Sequence, residues 1–148
     1  MTPDCAICDK HRNVGPLVGP RIFQNDLLVV THRPALSKGA PTVPGYLFVE
    51  TRRHVANLQS LHESEVRAVA HAAWCAARAL ESELSPQFVF SALAGRSVSH
   101  FHQHIFVRPV GTPDATEWND VDSWADAPRV DAAELEQLCT KLATYFTA

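Results

Sequence analysis

The segment Ser97–Pro109, SVSHFHQHIFVRP, constrains the fold of this chain most, because it places a histidine at every second residue. Successive side chains of a β-strand point to opposite faces, so a strand here puts His100, His102 and His104 on one face. Three imidazoles on one face form a metal site, a catalytic site or a solvated polar surface. Because three of the chain's eight histidines fall within five positions, the polar surface is the least favoured of these.

Strand geometry limits what these histidines can do together. Neighbours on one face lie about 6.6 Å apart, from a rise of about 3.3 Å per residue, so three of them span about 13 Å. Two such side chains can bind one ion, but three cannot converge on it. At most two of the three therefore share a metal, and at least one has another role.

A CxxC pair, Cys5 and Cys8, lies near the N-terminus. In a reducing compartment such a pair is usually redox-active or metal-binding. A redox pair should follow a buried strand and open a helix, whereas this one runs on toward Gly15 and Pro16. The pattern favours a metal-binding knuckle over residues 1–12, with His11 as a competing ligand.

The other two cysteines, Cys75 and Cys139, stand in helical patterns, where we expect them to be buried apolar residues. His71 lies four residues before Cys75 and could join it in a metal site, although an ordinary helix face is the favoured interpretation.

Length and composition indicate a single globular domain over residues 1–148, with 46% hydrophobic and 20% charged residues. The net charge of −3 argues against a nucleic-acid partner, which would favour a basic excess. No apolar run reaches the roughly 20 residues of a membrane span. The N-terminus, MTPDCAIC, lacks the regions of a signal peptide, so we expect a cytoplasmic protein with no membrane partner.

The hydrophobic patterns predict an α+β fold with an antiparallel sheet, one long central helix and a C-terminal helix. Residues 21–34 have the character of one strand ending at Pro34, Tyr46–Glu50 of a second, and residues 87–93 of a third that forms a hairpin with the histidine segment. Residues 111–130 are expected to form an acidic loop and 131–146 the C-terminal helix.

The long central helix is expected over residues 61–84, with Ser60 as N-cap and Glu63 completing a capping box. A stripe of apolar side chains at helical spacing is expected to face the sheet: Val66, Ala70, Ala73, Ala77, Leu80 and Leu84.

Two segments carry a resemblance to a known family. The alternating histidines follow the element Gly95–Val98, and GYLFVETRRH over residues 45–54 joins a buried strand to basic residues and a histidine. Over roughly residues 5–109 the chain resembles the histidine-triad (HIT) superfamily of nucleotide hydrolases and transferases, in particular its zinc-containing bacterial members. The resemblance implies a HIT-like fold and a homodimer.

The resemblance also implies one structural zinc per chain. Zinc-bearing members join two N-terminal cysteines to the histidine after the second strand and to the first histidine of the triad. Carried over by position, the ligands are Cys5, Cys8, His54 and His100, a closed Cys2His2 set.

For the reaction, the resemblance implies that His102 is the nucleophile and that His104 binds the phosphate or orients the attack. Ser97, with backbone amides after Gly95 and the side chain of Arg96, would bind the phosphate of a small nucleotide substrate. The expected activity is hydrolysis at the α-phosphate of a dinucleoside polyphosphate or nucleotide phosphoramidate, through a covalent nucleotidyl-histidine. Transfer to an acceptor other than water, or nucleotide binding without turnover, are the alternatives.

Three positions depart from the family pattern. Gln103 replaces an apolar residue, Arg96 stands where a glutamine is frequent, and Tyr46 stands where many members carry a histidine close to the nucleophile. The contacts of these three side chains are therefore open questions for the structure.

Overall fold

The structure, a computed structural model, describes residues 4–146, and within them it contains one five-stranded sheet and three α-helices. In chain order the elements are α1 (Ala6–His11), β1 (Arg21–Gln24), β2 (Leu28–His32), β3 (Tyr46–Thr51), α2 (Glu63–Leu84), β4 (Phe88–Ala92), β5 (His102–Arg108) and α3 (Ala132–Ala143). All neighbouring strands are antiparallel, in the order β1-β2-β3-β5-β4. The predicted α+β fold, with its long central helix and C-terminal helix, is confirmed.

The first predicted strand is two strands joined by a tight turn. The Asn25 side-chain oxygen accepts hydrogen bonds from the backbone N–H groups of Leu27 and Leu28, both at 2.9 Å. This local side-chain bond turns the chain back on itself, so that β1 and β2 pair. The prediction of one continuous strand is wrong because the apolar pattern continues through the turn.

The predicted hairpin of β4 with the histidine segment is confirmed, but the strand starts later than expected. β5 begins at His102, and His100 lies in the preceding bend. Just before the strand, the Phe101 N–H donates to the carbonyl of Val55 at 2.6 Å. The prediction that all three histidines share one strand is therefore wrong, and only His102 and His104 belong to β5.

Helix α2 begins at Glu63, not at residue 61, and its N-cap is His62. Glu65 accepts a hydrogen bond from the His62 N–H at 2.8 Å. The Arg53 guanidinium donates two further hydrogen bonds to the same carboxylate, at 2.6 and 2.9 Å. The predicted cap, Ser60, instead ends a short 3-10 helix, Leu58–Ser60. The arginine, which is distant in sequence, selects which glutamate closes the capping box.

The predicted apolar stripe of α2 is only partly correct. Leu80 is fully buried, but Val66 is 42% exposed and Ala70 is also exposed. The face that packs on the sheet carries instead Val69, Ala72, Cys75, Ala76, Ala79 and Leu80. Because alanines lie all round this helix, the sequence pattern does not choose one face clearly.

Helices α2 and α3 cover one face of the sheet, where Leu47, Val49 and Ile105 are fully buried beneath them. The C-terminal helix predicted over 131–146 is capped by Asp131, becomes a 3-10 turn at Thr144–Phe146, and otherwise lies where expected. No helix among residues 4–146 combines the length and apolar character needed to cross a membrane.

The opposite face of the sheet, called the open face here, is not covered by α2 or α3 and carries His102 and His104. The register sets Glu50 opposite His102 and Phe48 opposite His104. The acidic loop borders this face, and its Trp118 ring packs 5.6 Å from the rings of both Phe90 and Phe106.

Gly45, immediately before β3, permits a close approach at the end of the sheet. It has a φ of +98°, and an added Cβ would lie 2.7 Å from a Val107 methyl and 2.8 Å from Leu84. Its N–H donates to Nε2 of the buried His32 at 2.8 Å, while Nδ1–H of that ring donates to the Arg33 carbonyl at 2.7 Å. This glycine and histidine together fix the start of β3, and therefore the position of Tyr46.

Candidate functional site

Four side chains far apart in sequence form a cluster that could hold a metal ion: Cys5, Cys8, His54 and His100. One ligand atom from each lies within 4.8 Å of all the others. The Nδ1 atom of His100 lies 3.4 Å from the Cys5 sulfur and 3.5 Å from the Cys8 sulfur, and His54 Nδ1 lies 3.5 Å from Cys8. A tetrahedral zinc with ordinary bond lengths sets its sulfur and nitrogen ligands about 3.5 Å apart, so the donor set fits that ion.

The CxxC pair reaches this position through α1. Cys5 is the N-cap of the helix, and its sulfur accepts a hydrogen bond from the Cys8 N–H at 3.4 Å. The two sulfurs therefore lie at the same end of a short helix. The expectation that this pair does not open a helix is wrong, because the turn starting at Cys5 continues as helix to His11 before the chain reaches Gly15.

His100 has partners for both ring nitrogens. Its Nε2–H donates to the Thr51 carbonyl at 2.7 Å, which leaves the Nδ1 lone pair facing the two sulfurs. Burial lowers the pKa of His100 to about 4, so its ring is neutral near pH 7, as a metal ligand must be. The ring is fully buried, which suits a structural site.

The competing ligands lie elsewhere. His11 does not join the cluster, because its Nε2 pairs with a carboxylate oxygen of Glu50 at 2.8 Å. His71 and Cys75 contact each other at 3.5 Å on α2. Burial raises the pKa of Cys75, and it raises that of Cys139 to about 12, so both thiols behave as the buried apolar residues that the sequence predicted.

His102 lies at the start of β5, beside the cluster. Its Nδ1–H donates to the His100 carbonyl at 2.6 Å, so the other ring nitrogen, Nε2, carries a lone pair. The side chain is 9% exposed and lines a cavity of about 450 Å³ on the open face. In the neutral ring, this arrangement directs the Nε2 lone pair toward anything that the cavity holds.

His104 lines the same cavity, with its ring centre 5.0 Å from that of His102. Its Nδ1 lies 2.8 Å from the Tyr46 hydroxyl. Burial, helped by the neighbouring His102, lowers the pKa of His104 to about 4. Tyr46, whose contact was an open question, therefore touches the third histidine of the triad.

The loop between β4 and β5 brings the three expected phosphate-binding residues, Gly95, Arg96 and Ser97, to this cavity. All three are exposed, and Gly95 adopts a φ of +65° with open space at its Cβ position. The loop thus faces His102 and His104 across the cavity. Gln103, the remaining departure, donates from its side-chain amide to the Ser91 hydroxyl at 2.7 Å.

Sequence reasoning missed two cations that line the cavity. Lys10 is 3% exposed and donates to Glu50 at 2.6 Å, while its ammonium lies 4.6 Å from the centre of the Phe48 ring. Burial alone would raise the pKa of Glu50, but hydrogen bonds from His11 and Lys10 outweigh it and hold that pKa below its usual value. A charged residue within the otherwise apolar strand segment YLFVE was the available signal.

The second cation, Arg33, pairs with Asp122 of the acidic loop at 2.8 and 2.9 Å. Its guanidinium lies 4.6 Å from the centre of the Tyr46 ring. The signal for this contact was absent from the sequence, because residues 33 and 122 lie in different loops whose meeting depends on the whole fold.

Comparisons with known proteins agree with this geometry. The model of the HIT domain family matches residues 22–110, which is more than half of the chain. Among curated proteins, none matches the sequence significantly.

Several solved structures share the fold. A zinc-bound histidine-triad family protein from Mycobacterium smegmatis is 19% identical, with a TM-score of 0.66, and the match covers 95% of this chain and 94% of that one. A hypothetical histidine-triad nucleotide-binding protein from Sulfolobus tokodaii is 16% identical, with a TM-score of 0.67 over 95% and 91% of the two chains.

A HIT-like protein from Bartonella henselae, described as involved in cell-cycle regulation and solved with an unknown ligand, is 18% identical. Its TM-score is 0.66, and the match covers 99% of both chains. Since the family model spans more than half of the sequence and the fold is that of solved HIT proteins, this chain belongs to the HIT domain family.

Proposed function

We propose that this protein is a nucleotide hydrolase that acts on the α-phosphate of a dinucleoside polyphosphate or nucleotide phosphoramidate. The observation that carries the proposal is the 2.6 Å hydrogen bond from His102 Nδ1–H to the His100 carbonyl, which leaves Nε2 as a free nucleophile in the cavity. The resemblance of the Sulfolobus tokodaii protein, described as nucleotide-binding, supports a nucleotide as the ligand.

In the first step, His102 Nε2 attacks the α-phosphorus in line. A P–N bond forms, and the bond from phosphorus to the leaving group breaks, with its electron pair departing on that group. The imidazole gains positive charge, which its Nδ1–H shares with the His100 carbonyl. Ser97, the amides after Gly95, and His104 would hold the non-bridging oxygens.

In the second step, water attacks the same phosphorus. The P–N bond breaks, its electron pair returns to His102 Nε2, and the water's protons pass to the product phosphate and solvent. A nucleoside monophosphate leaves. Transfer of the nucleotidyl group to another acceptor would follow the same path with a different second nucleophile.

The metal in this proposal is one structural zinc per chain, held by Cys5, Cys8, His54 and His100. When bound, zinc cross-links the N-terminal helix to the ends of β3 and β5 and supplies no reactive group. The sulfur–nitrogen distances and the zinc-bound Mycobacterium smegmatis protein support this assignment. A reducing, cytoplasmic setting would keep both cysteines reduced and available to the metal.

We further propose that the single domain over residues 1–148 works as a homodimer. Large apolar side chains are exposed along α2 and on the edge strand β4: Val66 is 42% exposed, Trp74 54% and Phe88 57%. An uncovered apolar helix face beside an unpaired strand edge favours self-association. Light scattering should give the mass of two chains for the wild type and a smaller mass for Phe88→Glu.

A hydrolysis screen tests the proposed activity. The purified protein is incubated with dinucleoside polyphosphates, nucleotide phosphoramidates and nucleotide sugars, and release of a nucleoside monophosphate is followed by chromatography. In ¹⁸O-water, hydrolysis should place one ¹⁸O in the monophosphate. His102→Ala, carried through the same screen, should release none.

The alternatives give different results in this screen. A product in which the nucleotidyl group is joined to a buffer molecule or an added alcohol, with no ¹⁸O incorporated, identifies a transferase. Tight nucleotide binding by calorimetry, without turnover of any of the three classes, identifies a binding module and contradicts the proposal.

A further inference from the structure

We propose that Tyr46 is a positioning residue that makes His104 a hydrogen-bond donor toward the bound phosphate, and that Arg33 and Asp122 hold Tyr46 for this task. The inference rests on the proposed function, since it assigns a role within that site. It also gives the acidic loop a part in the reaction, although none of the loop's residues lines the cavity among those that the structure describes.

One hydrogen bond joins the Tyr46 hydroxyl to the His104 ring. The Tyr46 hydroxyl and His104 Nδ1 lie 2.8 Å apart, and one of them donates to the other. If Nδ1–H donated, the half-buried phenol proton would need another acceptor. Across residues 4–146 the structure gives the Tyr46 hydroxyl no other partner, so the phenol donates and Nδ1 accepts.

The consequence appears at the other ring nitrogen. A neutral imidazole carries one N–H, so an accepting Nδ1 places the proton on Nε2. Burial keeps the His104 ring neutral near pH 7, because it lowers the pKa to about 4. No partner for Nε2–H is found in the described part of the chain, and His104 lines the cavity. The Nε2–H is therefore left for a ligand oxygen.

The two adjacent histidines thus receive opposite protonation patterns from their partners. A carbonyl accepts from Nδ1 of His102 and leaves a lone pair at Nε2, which suits attack. A phenol donates to Nδ1 of His104 and leaves a proton at Nε2, which suits phosphate binding. The site needs both roles side by side, and the sequence alternation alone does not assign them.

Arg33 keeps the phenol in place from two sides. Its backbone N–H donates to the Tyr46 carbonyl at 2.8 Å, and its guanidinium lies over the Tyr46 ring at 4.6 Å. A cation over the ring strengthens the phenol as a donor. Asp122 binds the guanidinium through both of its oxygens, at 2.8 and 2.9 Å.

The loop segment that supplies Asp122 is itself held in shape by Arg129. The Arg129 guanidinium donates to four backbone carbonyls, those of Asp122, Trp124, Ala125 and Ala127. The loop therefore reaches His104 through a continuous set of contacts, from Asp122 to Arg33, to Tyr46 and to the imidazole.

The test reads the protonation of the rings directly, on the zinc-loaded full-length protein without substrate. Long-range ¹⁵N–¹H NMR spectra distinguish a ring protonated at Nδ1 from one protonated at Nε2. In the wild type at pH 7, His104 should be protonated at Nε2 only. In Tyr46→Phe, which removes only the hydroxyl, the Nδ1 signal of His104 should move and a form protonated at Nδ1 should become measurable.

The chain offers a matched control, since Tyr145 is its other tyrosine. Its hydroxyl lies 2.7 Å from Ser82 and 2.9 Å from Glu83, away from the cavity. Tyr145→Phe should leave the His104 signals unchanged. A wild-type His104 protonated at Nδ1, or identical His104 signals in Tyr46→Phe and the wild type, would overturn the inference.

Kinetics give a second reading with the substrate that the hydrolysis screen identifies. Tyr46→Phe should lower kcat about 10-fold with KM within about twofold, because the donor acts on charge that develops in the transition state. Asp122→Asn should act in the same direction by about two- to fivefold, as expected for a partly exposed ion pair. An inactive wild type would contradict the proposed function and leave the NMR result to decide this inference alone.

Discussion

The two ends of the histidine triad differ in how the rings use their nitrogens. At the candidate metal centre, defined by Cys5, Cys8, His54 and His100, both nitrogens of His100 have partners within the protein. In the proposed reactive pair, His102 and His104, one nitrogen of each ring is engaged and both residues line the cavity. The hydrogen-bond partner of each ring nitrogen, not the position of the histidine in the alternation, distinguishes the candidate metal ligand from the two histidines that line the cavity.

Substitution of His102 is expected to have the largest effect on turnover, because it removes the proposed nucleophile and leaves the proposed metal ligands in place. His102→Ala should reduce turnover by at least about 10⁴-fold, because it removes the nitrogen that forms the proposed covalent bond to phosphorus. Zinc content, measured by atomic emission, should stay at one per chain. His71→Ala, an exposed histidine on α2, is the control and should keep full activity. Loss of zinc in His102→Ala would place that histidine at the metal centre instead.

The converse change removes a ligand from the metal centre. Cys8→Ser should release the metal and lower the Tm by about 10–20 °C, since several kcal/mol of binding energy are lost at about 2–4 °C per kcal/mol. Cys75→Ala should retain the metal. Differential scanning fluorimetry and metal analysis measure both effects. The ligand set is wrong if His11→Ala depletes zinc and His54→Ala does not.

A smaller effect is expected at the substrate end. His104→Ala should lower kcat by about 10²–10³-fold, the usual result of removing one donor to a developing charge. Its zinc content and Tm should match those of the wild type within error. A rate equal to that of the wild type would mean that His104 does not contact the phosphate.

The smallest effect concerns a histidine outside both regions. Burial lowers the pKa of His32 to about 4. Between pH 6.5 and pH 4 the unfolded chain binds a proton on His32 that the folded ring does not bind. The stability that the neutral, buried ring contributes is therefore fully present above pH 6.5 and is lost as the pH falls toward 4.

Urea unfolding at pH 7 and pH 5 measures this loss. Between those values His32 should account for about 2 kcal/mol of lost stability, so His32→Gln should lose less than the wild type by that amount. His71→Gln should lose as much as the wild type. Equal losses in His32→Gln and the wild type would contradict the assignment.

Much of the fold could be predicted from local pattern. Strands β3 and β4, the hairpin of β4 with β5, and both long helices follow from apolar spacing and turn residues, which act over a few positions, whereas the division of the first predicted strand into β1 and β2 does not. The capping of α2 could not be predicted, because Arg53 selects Glu65 through a contact made only in the folded chain. The buried face of α2 was ambiguous for the reason that its alanines point in every direction.

The CxxC pair and the clustered histidines were indicated by residue type and spacing, because such groups are rare, whereas the proposed ligand set and the proposed roles of His102 and His104 came from the family resemblance. Lys10 and Arg33 were not indicated, since single basic residues are common, and the one available signal was the partner of Lys10, Glu50, within an apolar strand segment. Each gains its position from a carboxylate distant in sequence, Glu50 or Asp122. Pairings between distant charges depend on the complete fold.

The central claim is that His102 forms a covalent bond to phosphorus, and one measurement tests it most directly. The wild type is mixed with the substrate found in the hydrolysis screen, quenched with an alkaline denaturant within milliseconds, and analysed by mass spectrometry before and after proteolysis at a pH that preserves phosphoramidates. We predict an added mass of one nucleoside monophosphate, located on His102 and absent in His102→Ala. An adduct on another residue, or turnover at the wild-type rate by His102→Ala, would contradict the account.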